Sequence, residues 1–245
     1  MSGLSGSLEV LLAKAYADID LAPFIDHTLL VVTATPQHIA KWCDEAERFK
    51  FASVCVAPVH VPQAVELLRT SNTLVSTVIG FPTGATTSAV KLYEAQEAID
   101  RGAAELDVVI NLGWLKQGML DDVHRDLAAI CDQGHPVKAI VETPLLTEAE
   151  KQIVVDICVD AGAAFVKTCT GWNGGVTVAD VALLKAAAKD RVAIKASGGI
   201  RTTEQAMDMV LAGASRLGTS YGAAIMNPPD MLEEEEGHEV DEPQD

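Results

Sequence analysis

Aromatic residues are scarce in this chain, making up only 4% of 245 residues, whereas 49% are hydrophobic. The apolar stock is therefore mostly Ala, Val, Leu and Ile, which suits helix-on-sheet layers and argues against an aromatic-rich all-β sandwich. Cysteine is also sparse. The five cysteines, Cys43, Cys55, Cys131, Cys158 and Cys169, are odd in number, scattered and without a CxxC pair. Neither a disulfide framework nor a zinc site is indicated, and the residue pattern predicts no metal and no cofactor. No basic stripe is present to neutralise the phosphates of a nucleic acid. No apolar run approaches the length needed to cross a bilayer. Met1 to Ser7 lack a basic n-region, and Leu8 to Ala13 are too few for the core of an export signal, so a cytoplasmic protein is expected.

Charge is plentiful but unevenly spread, with 18 Lys and Arg against 35 Asp and Glu and a formal net charge of −17. Nine of the acidic residues lie between Asn227 and Asp245, a stretch with no Lys or Arg. That segment, with Pro228-Pro229 and then Glu233 to Glu236, has too few apolar residues to join a core. It is predicted to be a disordered, solubilising tail, 227–245, behind one folded domain, 1–226.

Within the domain, short β-rich runs alternate with helical patterns. Strands are predicted at Phe24–Leu30, Ala52–Val56, Leu74–Phe81, Glu105–Asn111, Val137–Glu142, Phe165–Cys169, Ala193–Ser197 and Arg216–Ser220. Segments of helical period lie between them, among them Pro36–Phe49, Ser88–Arg101, Thr147–Ala161 and Thr202–Leu211, and an extra helix is expected at Leu8–Asp18. Gly102, Gly134, Gly162 and Gly213 stand where helices should end in a left-handed cap. Eight strands in strict alternation predict an α/β fold of the closed (β/α)₈ type, a TIM barrel. A doubly wound open sheet is the alternative, but no GxGxxG follows the first strand.

Chemistry in such a barrel gathers at the C-terminal strand ends. The polar residues there are Asp26, Cys55, Asp107, Glu142, Lys167, Lys195 and Ser220. Lys167 and Lys195 each sit in an apolar run where an ammonium is costly to bury. Alternation along the strand puts Lys167 on a face with Phe165 and Cys169, and Lys195 with Ala193 and Ser197, both facing the barrel interior. A single such lysine reads as a side chain snorkelling to water. Two on neighbouring strands with a carboxylate nearby read as a tuned amine. Each disfavours the other's charge, so one becomes neutral enough to attack a carbonyl while the other stays charged. Asp107, in the apolar run Glu105 to Asn111, is placed to pair with a lysine and to move protons through water.

Two glycine turns complete the pattern. Ala196-Ser197-Gly198-Gly199-Ile200-Arg201-Thr202 runs from a strand into a helix, with Thr202 and Gln205 at capping-box spacing. Gly218-Thr219-Ser220 ends the eighth strand. Loops after strands seven and eight of a barrel often hold phosphate, and these turns suit one. Cys55 and Cys169 read as small buried residues, and His27 as a hydrogen-bonded strand histidine.

Several of these stretches, taken in order, resemble the deoxyribose-phosphate aldolases. They are Ile25-Asp26-His27-Thr28-Leu29-Leu30, Ser53-Val54-Cys55-Val56, Val75 to Pro82, Leu106 to Asn111, Phe165-Val166-Lys167-Thr168 and Lys195 to Thr202. The resemblance, from about Phe24 to Met226, implies a metal-independent class I aldolase on a (β/α)₈ barrel. It implies Lys167 as the imine-forming residue, Lys195 as the lysine that perturbs it and Asp107 as the proton relay. Substrate and phosphate would be bound by Asp26, Thr28, Cys55, Thr168, Gly171, Ser197, Gly198, Gly199, Gly218, Thr219 and Ser220.

The implied substrates are small phosphosugars and aldehydes, and the implied reaction is reversible cleavage of 2-deoxy-D-ribose 5-phosphate in deoxynucleoside breakdown. The expected assembly is a homo-oligomer, a dimer or tetramer. Alternatives are a Schiff-base aldolase for another phosphorylated sugar and a non-catalytic phosphosugar-binding barrel. Three departures from the family pattern stand out. Val31-Val32 replaces a more polar pair, Tyr221 stands where many relatives have a second serine, and the acidic C-terminus lacks a terminal tyrosine.

Overall fold

Eight parallel strands close on themselves in sequence order in the computed structural model, which describes residues 19–227. They are β1 (Ile25–Leu29), β2 (Ser53–Val56), β3 (Leu74–Ile79), β4 (Glu105–Val109), β5 (Val137–Ile140), β6 (Phe165–Lys167), β7 (Ala193–Ser197) and β8 (Arg216–Thr219). The ring shuts where β1 pairs with β8, placing Asp26 beside Gly218 and His27 beside Thr219. This is the predicted (β/α)₈ barrel. The extra helix expected at Leu8–Asp18 and the acidic tail from residue 228 lie outside the described residues.

Nine α-helices surround the strands among the described residues: α1 (Pro36–Phe49), α2 (Val61–Leu67), α3 (Ser88–Asp100), α4 (Leu112–Lys116), α5 (Leu120–Cys131), α6 (Glu148–Asp160), α7 (Val178–Ala188), α8 (Thr203–Leu211) and α9 (Gly222–Met226). Their starts follow the sequence. Thr35, Thr147 and Thr202 close capping boxes with His38, Glu150 and Gln205, which satisfies backbone N–H groups that a helix start leaves free. Their ends do too, since Gly102, Gly134, Gly162 and Gly213 all have positive φ. On α1 the buried residues Ile39, Cys43 and Ala46 form the stripe that packs on the sheet.

Seven of the eight strands are shorter than the predicted runs, because chemistry at their ends takes over, and β7 keeps the predicted bounds. Phe24 belongs to a 3₁₀ turn before β1. Asn111 leaves β4 to cap α4, its side chain accepting from the Trp114 N–H at 3.1 Å. Glu142 turns out of β5 into the left-handed region, with φ 57° and ψ 62°. A buried lysine outside the barrel interior secures β4 from behind. Lys91 on α3 donates to the Val109 carbonyl at 2.9 Å and to Asp126 of α5 at 2.7 Å, both partners being buried. No helix among the described residues is long and apolar enough to cross a membrane.

Candidate active site

Barrels of this kind usually fill their interior with branched apolar side chains. This one holds an ionic layer. Lys167 and Lys195 lie directly opposite each other on β6 and β7, and Asp107 faces Lys138 across β4 and β5. The Asp107 Oδ2 atom accepts from Lys167 at 2.8 Å and from Lys195 at 2.7 Å, so one carboxylate oxygen sits between the two ammonium groups. Lys195 reaches Asp26 as well, at 2.6 Å. Lys138 lies 2.6 Å from Glu105, 3.1 Å from Asp26 and 3.2 Å from Asp107. Arg216 spans Asp26 at 2.7 Å and Glu105 at 3.1 Å.

The charges of this layer hold one another. Burial opposes the Asp107 and Asp26 charges, but the surrounding lysines, and Arg216 for Asp26, outweigh it and hold both carboxyls below the ordinary aspartate range. Burial likewise opposes the Lys195 ammonium, yet Asp107 and Asp26 lift its pKa above the ordinary lysine value. Lys138 is raised for the same reason, against the same burial, by Asp107, Asp26 and Glu105. Lys195 is therefore a fixed cation. Four cationic side chains share three carboxylates here. Lys138, Lys195 and Arg216 each touch at least two, whereas Lys167 touches Asp107 alone. Deprotonating Lys167 breaks the fewest ion pairs.

The depressed carboxyls make the fold sensitive to acid. Their folded pKa lies below the unfolded value near 3.8, so their contribution is present above that pH and is lost as pH falls below it. Unfolding free energy from urea titrations should drop by about 1 kcal/mol per such carboxyl for each pH unit below about 4. Asp26→Asn should flatten that decline. An unchanged slope in the variant would mean that Asp26 is not held as a paired anion.

Above the ionic layer opens a cavity of about 120 Å³, lined by Thr28, Leu30, Lys167, Thr170, Gly171, Ser197, Gly198, Gly199, Ile200, Arg201, Gly218, Thr219, Ser220 and Tyr221. Of the three lysines only Lys167 lines it. Lys138 and Lys195 are sealed beneath, each with 0% exposure. A side chain at position 218 would bring its Cβ to 3.1 Å from Lys195 Cε and 2.9 Å from Ser197 Cβ, so glycine there leaves room for the lysine. Gly198 and Gly199 take positive φ of 98° and 78° and turn the backbone along the cavity wall.

The serine and threonine hydroxyls around the cavity donate to the protein itself. Ser197 donates to the Cys169 carbonyl at 2.7 Å, Thr219 to Ile200 at 2.6 Å, Ser220 to Thr28 at 2.8 Å and Thr28 to Asp26 at 3.0 Å. They stitch strand ends and loops together. The backbone N–H groups of the glycine turns are candidate donors for an anion in the cavity, and the Arg201 guanidinium, which also lines it, stacks 5.3 Å over the Tyr221 ring.

Eight of the eleven candidate binding residues thus line the cavity. Asp26, Cys55 and Thr168 do not. Asp26 belongs to the ionic layer below, Thr168 donates to the Ser197 carbonyl and accepts from its N–H, and Cys55 is fully buried. Burial pushes the Cys55 and Cys169 thiols up, so neither is a ready nucleophile. His27 pairs with Glu45 at 2.8 Å and stacks on Trp42. No group of three or more His, Cys, Asp or Glu is arranged to hold a metal among the described residues.

Lys138, Glu105, Arg216, Arg201 and Tyr221 were not reached by reading strand ends. Lys138 carried the same signal as the other two lysines, a charge inside the apolar run Val137-Lys138-Ala139-Ile140. It sits near the start of its strand, and strand tilt brings it level with Asp107.

A parallel barrel with a buried, carboxylate-paired lysine at the floor of such a cavity is the framework of a class I aldolase, a lyase. No family model matches the chain. Over 226 residues it is 59% identical to the deoxyribose-phosphate aldolase of Trichormus variabilis, an overlap of 92% of this chain and 100% of that protein. It is 63% identical over 208 residues to the enzyme of that name from Thermosynechococcus vestitus, covering 84% of this chain and 96% of the relative. The solved tetrameric deoxyribose phosphate aldolase from Aeropyrum pernix superposes with a TM-score of 0.82 at 34% identity, over 88% of this chain and 95% of that one. The chain belongs to the deoxyribose-phosphate aldolase family.

Proposed function

We propose that this protein cleaves 2-deoxy-D-ribose 5-phosphate reversibly to D-glyceraldehyde 3-phosphate and acetaldehyde, with Lys167 as the nucleophile. The observation that carries the reading is Lys167, the one lysine that lines the cavity among the described residues, bonded to a buried carboxylate that it shares with a fixed cation, Lys195. The neutral Lys167 amine attacks C1 of the open-chain aldehyde to give a carbinolamine, and loss of water gives the iminium. The C3 hydroxyl loses its proton, the C2–C3 bond breaks, and its electron pair flows into the iminium. Glyceraldehyde 3-phosphate leaves and an enamine remains. Protonation of the enamine carbon and hydrolysis then release acetaldehyde and free Lys167.

Asp107, through water, is the group that takes and returns these protons, and the lysines around it, Lys138 first and then Lys167 and Lys195, hold its carboxyl low. The phosphate is read into the end of the cavity formed by Gly171, Gly198, Gly199, Gly218 and the backbone of Ser220, with Arg201 at the rim. A role in deoxynucleoside breakdown in the cytoplasm fits this substrate. Assembly into dimers or tetramers is supported by the tetrameric relative. Residues 1–226 are taken as one catalytic unit, with 227–245 as an appended acidic segment.

The test is release of glyceraldehyde 3-phosphate and acetaldehyde from deoxyribose 5-phosphate, followed by coupled reduction, beside the same assay on deoxyribose. Losing two or more hydrogen bonds to a phosphate, at about 1.5–3 kcal/mol each, should lower kcat/KM for deoxyribose by about 10²-fold or more. Equal kcat/KM for the two sugars would remove the phosphate seat, and no cleavage of either would remove the assignment.

A further inference from the structure

Glu142 stands outside both the ionic layer and the cavity lining, yet it is fully buried and its backbone is left-handed, with φ 57° and ψ 62°. A non-glycine residue in that region carries about 1 kcal/mol or more of strain, and such strain persists only where the surroundings enforce it. The ladder shows what enforces it. Val141 N–H donates to the Lys167 carbonyl and Thr143 N–H to the Thr168 carbonyl. Two steps along one chain thus match one step along the other, the geometry of a bulge, which re-aims the residue between.

The re-aimed carboxyl meets the segment that follows β6. Its Oε2 accepts from the Thr170 hydroxyl at 2.6 Å and its Oε1 from the Thr170 N–H at 3.2 Å. The Thr170 hydroxyl accepts in turn from the Trp172 N–H at 3.1 Å, closing a turn around Gly171, whose φ is 93°. Among the described residues no cation forms an ion pair with Glu142, so this turn is its engagement. Both Thr170 and Gly171 line the cavity. Further along, the same loop is tied to the other glycine turn, where Val176 N–H donates to the Gly198 carbonyl at 3.0 Å.

We propose that Glu142 is a positioning residue that holds the Thr170–Gly171–Trp172 turn as one wall of the phosphate seat, and so sets the preference for a phosphorylated over an unphosphorylated sugar. The inference rests on the phosphate-binding reading given above. It asks nothing of Glu142 in the bond-breaking steps, because its carboxyl reaches the substrate only through the turn.

The test compares KM and kcat for deoxyribose 5-phosphate and deoxyribose in wild type, Glu142→Ala, Glu142→Gln and Thr170→Val. In Glu142→Ala the KM for the phosphate ester should rise about tenfold, the size of one lost hydrogen bond of about 1.4 kcal/mol. The kcat should change far less, and the preference for the ester over the free sugar should narrow by a similar factor. Glu142→Gln should recover most of the preference, since its amide can accept from the Thr170 N–H and donate to the hydroxyl. Thr170→Val, which breaks the same contact from the half-buried side, should reproduce part of the defect even if Glu142→Ala fails to fold. A wild type that prefers the ester, together with variants that lose activity equally on both sugars or on neither, would overturn the role of Glu142 and leave the phosphate seat standing. A wild type without any preference would overturn the seat itself, and this inference with it.

Discussion

Lys167→Leu is expected to lose at least about 10⁴-fold in cleavage rate, equivalent to about 5.5 kcal/mol of transition-state stabilisation. No second amine among the described residues is placed to step in. Lys138 and Lys195 are sealed below the cavity floor and held by two or three carboxylates each, whereas Lys167 lines the cavity with one. The same geometry predicts the site of trapping. Borohydride reduction in the presence of acetaldehyde should leave an ethyl group on Lys167, seen by mass spectrometry of the peptide carrying it. Leucine at 167 leaves Asp107 with Lys138 and Lys195 as partners, so the variant is expected to stay folded by circular dichroism. An ethyl group found on Lys195, or substantial activity in folded Lys167→Leu, would sink the assignment of the nucleophile.

Lys195→Leu should be impaired by about 10²-fold or more near neutrality and should recover in part as pH rises. In the wild type Lys195 shares the Asp107 oxygen that also binds Lys167. Without that cation the Asp107 charge bears more strongly on Lys167 and favours its protonated, unreactive form. Attack needs the free amine, so the pH–rate profile should move to higher pH. Lys167→Leu should stay inactive across the same range. Removing one partner from a buried cluster also costs about 3–5 kcal/mol of stability. The profile must therefore be measured well below the variant's unfolding temperature, and full recovery is not expected. A profile of unchanged shape and merely lowered height would show that Lys195 does not act through the charge of its neighbour.

The barrel was legible in the sequence because its signals are local. Strand-like runs alternate with helical periods, threonines sit at helix starts, and glycines stand where helices need a left-handed end. Lys167, Lys195 and Asp107 were legible for a related reason. A charge inside an apolar strand violates the pattern around it, and each violation was visible within a few residues. The strand ends were less legible, since Asn111 and Glu142 read as strand until the cap of α4 and the contact with Thr170 claimed them.

What only the tertiary structure decided is which charges meet. Asp26 and Arg216 are 190 residues apart and touch because the barrel closes β8 onto β1. Lys138 carried the same sequence signal as the two lysines singled out, yet its position near the start of β5 hid it until strand tilt set it level with Asp107. The sequence likewise presented Asp26 and Ser220 as residues facing a ligand. Closure placed one under Lys195 and bound the hydroxyl of the other to the Thr28 carbonyl. Local patterning determined the elements and marked the charged positions, because helix and strand periods and desolvation act on each run by itself. The pairing of those charges depended on closure and tilt, which are properties of the whole ring and of no single segment.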